Sequence, residues 1–199
     1  MADENSGYDK KEKSPLGDLV VSNSNSHLRA EGLIFLIGYM GCGKSTKAKQ
    51  LAHRLECPVV DLDAEIVSKS GKTIAEYFIE FGESGFRNFE SEMLKTFDYP
   101  KTCVVATGGG LPCFFDNMDW MNANGTTVYL QMEPAALVSR LHNRQKRPLI
   151  KDLNDEELLA FIEVKLEERN PFYMKARIIV DAFDLDAEQL EETIKNKIS

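Results

Sequence analysis

From residue 33 onward, short unbroken apolar runs alternate with longer stretches in which apolar residues recur every three or four positions. Such alternation predicts parallel strands buried on both faces and joined by amphipathic helices. Strands are expected near residues 33 to 37, 58 to 62, 102 to 107, 126 to 131 and 177 to 181. Helices are expected over about 44 to 56, from Thr73 onward, and over about 83 to 97, 133 to 142, 155 to 175 and 187 to 198. Thr73 and Glu76 stand at capping-box spacing ahead of Tyr77 and Phe78, which marks a helix start. Phe86, Phe89 and Met93 fall on one helical face and read as core. No internal repeat is visible, so the expected fold is a single α/β domain over residues 32 to 199 with a five-stranded parallel sheet flanked by helices.

Residues 1 to 31 break the pattern. They mix charges with Ser22-Asn23-Ser24-Asn25-Ser26 and lack apolar periodicity, so a disordered leader is expected. Asp3, Glu4, Asp9, Glu12 and Asp18 argue against an organellar transit peptide, since those are poor in acids. The chain carries 24 Lys and Arg against 32 Asp and Glu, a net charge of −8. That balance argues against non-specific nucleic-acid binding and against attachment to an anionic membrane. No apolar stretch reaches the roughly 18 residues of a membrane-spanning helix and the N-terminus lacks a signal peptide's apolar core, so a soluble, intracellular protein is expected. Cys42, Cys57, Cys103 and Cys113 show no metal-like spacing with the three histidines and read as reduced, mostly buried thiols.

The most informative motif follows the first apolar run. Gly38-Tyr39-Met40-Gly41-Cys42-Gly43-Lys44-Ser45 fits GxxxxGK(S/T), the phosphate-binding loop. Its glycines let successive backbone N–H groups turn toward a polyphosphate, Lys44 reaches the β- and γ-phosphates, and the Ser45 hydroxyl can ligate Mg²⁺. The second strand runs into Asp61-Leu62-Asp63, where extended alternation would place both carboxylates on one face; a simpler reading makes both helix caps. The third strand ends in Gly108-Gly109-Gly110, which permits close backbone approach and N–H donation. Arg87, Arg147 and Arg169 stand out by context, and a pair of arginines suits a carboxylate ligand because each can bind it in two-point fashion.

In this combination the chain resembles shikimate kinase closely over residues 33 to 198. The resemblance rests on DxD at Asp61 and Asp63, GExxFRxxE from Gly82 and Glu83 through Phe86 and Arg87 to Glu90, the glycine triplet, Arg147-Pro148-Leu149, and RxPxY at Arg169, Pro171 and Tyr173. It implies a phosphate-loop (P-loop) NTPase fold of three layers with a mobile lid over about 143 to 153. It also implies transfer of the γ-phosphate of ATP to the 3-hydroxyl of shikimate on the route to chorismate and the aromatic amino acids. By the same resemblance Asp63 meets the shikimate hydroxyls and acts on the 3-hydroxyl, while Arg87 and Arg169 grip its carboxylate beside Gly109 and Gly110. Gly41, Cys42, Gly43, Lys44, Ser45 and Thr46 hold the nucleotide phosphates, and Arg140 stacks on the adenine. Ser45 ligates Mg²⁺ directly and Asp61 through water, and Arg147 of the lid meets the transferring phosphate.

Such a lid would keep water, the competing nucleophile, from the phosphate. Two features depart from the family pattern: Cys42 within the loop, read as a small residue with a redox-sensitive thiol as the alternative, and the leader. A kinase for another polyol acid such as gluconate, a nucleoside monophosphate kinase and a non-catalytic nucleotide-binding module are the rival readings. Monomer is the default oligomeric state.

Overall fold

The computed structural model describes residues 32–141 and 150–198. The leader assigned to residues 1 to 31, and Arg147 with residues 143 to 149 of the expected lid, lie outside the described residues. Strands β1 (Leu33–Ile37), β2 (Val59–Asp61), β3 (Cys103–Ala106), β4 (Gly125–Gln131) and β5 (Ile178–Asp181) form one sheet. Its order is β2-β3-β1-β4-β5, and every pairing is parallel. Ile34, Phe35, Leu36 and Ile37 are all buried. Successive side chains on a strand point to opposite faces, so helices must cover both sides of β1.

Helix α1 (Lys44–Arg54) buries Ala48, Leu51 and Ala52 and packs on β3 and on α7 (Ala187–Ile198). Helix α4 (Asn117–Asn124) lies against β4, with the Trp120 ring edge-on to Phe35 at 6.1 Å. Helices α5 (Pro134–Arg140) and α6 (Asp155–Tyr173) pack on each other. Asn154 and Glu157 close a capping box at the start of α6. Among the described residues no helix is long and apolar enough to cross a membrane.

Three departures from the sequence pattern bear on the site. Strand β2 stops at Asp61, and α2 (Leu62–Ser70) begins at once. The expected alternation of Asp61 and Asp63 along an extended segment is therefore incorrect: Asp61 caps α2, accepting from Ala64 N–H at 3.4 Å, and Asp63 sits in its first turn. The helix from Thr73 and the helix from 83 are joined as α3 (Ile74–Thr96), with a break at Gly82, where φ is 69° and ψ 177°. The Thr73–Glu76 capping box forms as its spacing predicts. A short 3-10 turn, Leu111–Cys113, and α4 were not visible in the pattern, because segments this short draw their stability from tertiary packing and not from periodicity. The four cysteines are thiols; Cys42 and Cys103 are buried and Cys57 and Cys113 half-buried.

Candidate active site

Parallel strands place their carboxyl ends along one edge, and the loops that leave β1, β2 and β3 there build a single cleft. Lys44, Ser45 and Thr46 line it with Asp63, Thr107 and Gly109, around a volume of about 280 Å³. The loop after β1 turns through Gly41 and Gly43 at φ values of 88° and 96°, which a side chain would strain. Gly43 stands at the N-cap of α1 and brings no side chain to its free N–H groups. Such an uncapped helix start facing a cleft favours an anion. Ser45 and Thr46 are exposed on its first turn, whereas Cys42 is fully buried and its N–H donates to Tyr39 O at 3.3 Å. Lys44 is turned inward, donating from Nζ to the carbonyls of Gly38 at 2.8 Å and Tyr39 at 2.9 Å.

The glycine triplet after β3 is where the remaining groups meet. A Cβ on Gly108 would lie 2.5 Å from Glu90 Oε1 and 2.9 Å from Asp63 Oδ1. One on Gly110 would lie 2.7 Å from both terminal nitrogens of Arg87, and one on Gly109 would lie 3.7 Å from Arg169 Nη1. None of the three has positive φ, so these glycines serve close approach and not an unusual backbone turn. The triplet thus draws Asp63 from α2, Arg87 and Glu90 from α3, and Arg169 from α6 onto three consecutive residues. Tyr173 locks the arrangement by donating to Gly109 O at 2.5 Å.

Arg87 is 9% exposed and paired with Glu90 at 2.7 Å and Glu83 at 3.3 Å. Phe78, Phe86 and Phe114 surround its guanidinium, with Phe114 nearest at 4.4 Å from ring centre to Cζ. Its buried Nε–H has no acceptor among the described residues. A desolvated guanidinium with a donor to spare suits an anionic ligand. Arg169 lies over the Tyr39 ring at 5.3 Å. Burial works against its charge, but Tyr173, Cys113 and Tyr39 beside it tip the net shift upward. Glu90 is 2% exposed, and burial pushes its carboxyl up to about 7; Arg87 pulls the other way, the Asp63 charge adds to the rise, and Arg169 opposes it. Burial likewise raises the Cys113 thiol to about 11 despite Arg169 and Arg87, so it faces the site uncharged.

Arg140 donates to Phe183 O at 2.6 Å, and its Nη1 would be 3.7 Å from a Cβ on Gly43, which puts it beside the phosphate loop. Lys47 bonds Leu185 O, so cations from α5 and α1 both tether the segment after β5. Asp61 spends one carboxylate oxygen on its cap and Ser45 is open at the loop. These hard oxygen donors fit Mg²⁺, which keeps most of its waters and takes only one or two protein ligands beside substrate phosphates. The sequence pattern left Glu90 and Lys47 without a role. The spacing of Glu83 and Glu90 around Arg87, four and three residues away, is the signal that could have revealed the first.

A P-loop fold whose phosphate cleft runs to a glycine triplet approached by two arginines and an aspartate fits a small-molecule kinase. The sequence model of the shikimate kinase family matches residues 40–199. Shikimate kinase from Bacteroides fragilis is 47% identical over 164 residues, covering 81% of this chain and 92% of that protein. The crystal structure of shikimate kinase from Bacteroides thetaiotaomicron is 44% identical and superposes with a TM-score of 0.76, covering 84% of this chain and 96% of that one. Shikimate kinase from Acinetobacter baumannii in complex with shikimate is 31% identical with a TM-score of 0.74, over 86% and 98% of the two chains. The chain belongs to the shikimate kinase family and is a kinase that uses ATP.

Proposed function

We propose that this chain phosphorylates the 3-hydroxyl of shikimate through two half-sites, a phosphate half around Lys44 and an acceptor half around the glycine triplet. The observation that carries this division is the convergence of Arg87, Arg169 and Asp63 on Gly108, Gly109 and Gly110. Two arginines hold the substrate carboxylate and so orient the ring, while Asp63 on the opposite element meets the hydroxyls. Phosphoryl transfer asks little covalent work of the protein; alignment of the attacking hydroxyl and neutralisation of charge account for most of it. Asp63 aims the 3-hydroxyl and takes its proton. Gly41 and Gly43 offer backbone N–H groups to the phosphates with Ser45 and Thr46, Cys42 turns from Tyr39 O to add its own, and Lys44 turns from the Gly38 and Tyr39 carbonyls to meet them. Arg140 covers the adenine. Ser45 and, through water, Asp61 would hold Mg²⁺, which would supply positive charge to the nucleotide phosphates.

Arg147, in a lid over 143 to 153, meets the transferring phosphate. Arg147→Ala is accordingly expected to lower kcat by about 100-fold with far less change in KM for shikimate, measured by steady-state kinetics. An unchanged kcat would remove Arg147 from the mechanism. The chain works as a cytoplasmic monomer without nucleic-acid or membrane partners, and its leader is dispensable for turnover. The deciding assay is ADP release from ATP and Mg²⁺ with and without shikimate, with gluconate and AMP as alternative acceptors. Shikimate-dependent turnover well above hydrolysis supports the proposal. Turnover only with gluconate or AMP would reassign the acceptor, and ATP binding with no turnover at all would favour a non-catalytic module.

A further inference from the structure

Glu90 is a buried carboxyl in the acceptor half that the phosphoryl transfer leaves without a task. It lies inside the protein, on the core side of the ligand pocket, at 2% exposure. Oε2 accepts from Arg87 Nη1 at 2.7 Å, while Oε1 faces the same point above Gly108 as Asp63 Oδ1. The charged and titratable groups turned toward it are Arg87 on its own helix, Asp63 on α2, Arg169 on α6 and the Cys113 thiol of the 3-10 turn. Before any substrate arrives, two cations thus meet two buried or half-buried carboxylates, and Arg87 is also held at 3.3 Å by the exposed Glu83.

A substrate carboxylate between Arg87 and Arg169 adds a third anion to this dry cluster. Added negative charge favours the neutral form of a nearby buried acid. Asp63, half-buried at the cleft, has solvent on one side, whereas Glu90 has none to spare. We propose that Glu90 takes up a proton from solvent as the substrate carboxylate seats, so that binding is proton-linked and Glu90 acts as a positioning residue for both Arg87 and Asp63. The new O–H bond forms at Oε1 with a proton that the acid form of the buffer gives up through the solvent, and the Arg87 bond to Oε2 is kept. The hydroxyl then points toward Asp63 Oδ1 and fixes the orientation of that side chain toward the substrate hydroxyl. Arg87, no longer matched by a full charge on Glu90, turns its positive charge to the ligand. Burial already places Glu90 at about 7, so a small added field moves it across the physiological range.

The inference rests on the reading that Arg87 and Arg169 hold the substrate carboxylate, and the tests separate the two. Calorimetric titration of the full chain with shikimate at pH 7, in buffers of low and high ionisation enthalpy, counts protons directly. A fractional uptake is expected, together with a Kd for shikimate that rises on the order of threefold to tenfold from pH 6 to 8. In Glu90→Gln both the uptake and the pH dependence are expected to vanish. Because that variant could fail to fold, the infrared difference spectrum of the wild-type protein on shikimate binding is the second readout, with a new protonated-carboxyl band expected. Buffer-independent heats in the wild type, uptake that persists in a folded Glu90→Gln, or no new carboxyl band would each overturn the proposal. Wild-type affinity in both Arg87→Lys and Arg169→Lys would instead overturn the reading of the carboxylate grip.

Discussion

A methyl group on Gly110 would lie 2.7 Å from both terminal nitrogens of the Arg87 guanidinium, which must leave its place among the aromatic rings to make room. Gly110→Ala is therefore expected to act as an Arg87 substitution made from the opposite wall. Loss of a charge-assisted, two-point contact costs about 1.5 to 3 kcal/mol, so KM for shikimate should rise roughly 10- to 100-fold in Gly110→Ala and in Arg87→Lys. KM for ATP should stay near the wild-type value in both. A rise in KM for ATP of similar size would mean that the triplet shapes the phosphate half instead. The triplet, the phosphate loop and the arginines were legible as residues because their chemistry is local. What the glycines touch was not, since Glu90 and Asp63 reach Gly108 from helices that the chain lays down far from the strand. Asp61 and Asp63 were misjudged for a related reason. Whether an aspartate ends a strand or opens a helix depends on where the backbone turns, and Leu62, buried in α2, turns it one residue after Asp61.

Helix α3 carries both functions of its sequence by breaking at Gly82. Before the break, Tyr77, Phe78 and Phe81 form an aromatic cluster with Phe86 and Phe89; after it, Arg87 and Glu90 enter the site. The backbone there, φ 69° with ψ 177°, is open essentially to glycine alone. Gly82→Ala is expected to cost about 1 to 3 kcal/mol, seen as a fall of several degrees in Tm. Nothing lies within 4 Å of a Cβ at that position, so the effect is backbone strain and not collision. If the variant kept its Tm, the break would be a soft joint. The break was legible as two separate helical patterns on either side of it, although not as one continuous element. Capping boxes were the most readable boundaries. The Thr73–Glu76 box formed as predicted because its bonds involve only residues three apart.

At the scale of the whole molecule, Glu90 sets a pH dependence of stability whose sign differs from that of the surface carboxylates. Asp116, held down by the hydrogen bond from Lys95, and Glu76, held down by Thr73, sit below their ordinary values. Their contribution is present above the unfolded carboxylate range and fades as pH falls through their folded values. Glu90 is raised from about 4.5 to about 7 by burial. Between those values the folded protein binds more protons than the unfolded chain, so its contribution is full below about 4.5 and is lost as pH rises through 7. That rise corresponds to about 3 kcal/mol. Urea unfolding of the wild-type protein and Glu90→Gln from pH 5 to 8 isolates this group, because every other carboxylate is common to both. The stability of the wild type relative to the variant is expected to decline from pH 5 to about 7 and to level off above it. Since the seated substrate carboxylate favours protonated Glu90, saturating shikimate should move the decline to higher pH. A difference between the two proteins that stays constant from pH 5 to 8 would show that the buried carboxyl keeps its charge throughout, with Arg87 outweighing burial.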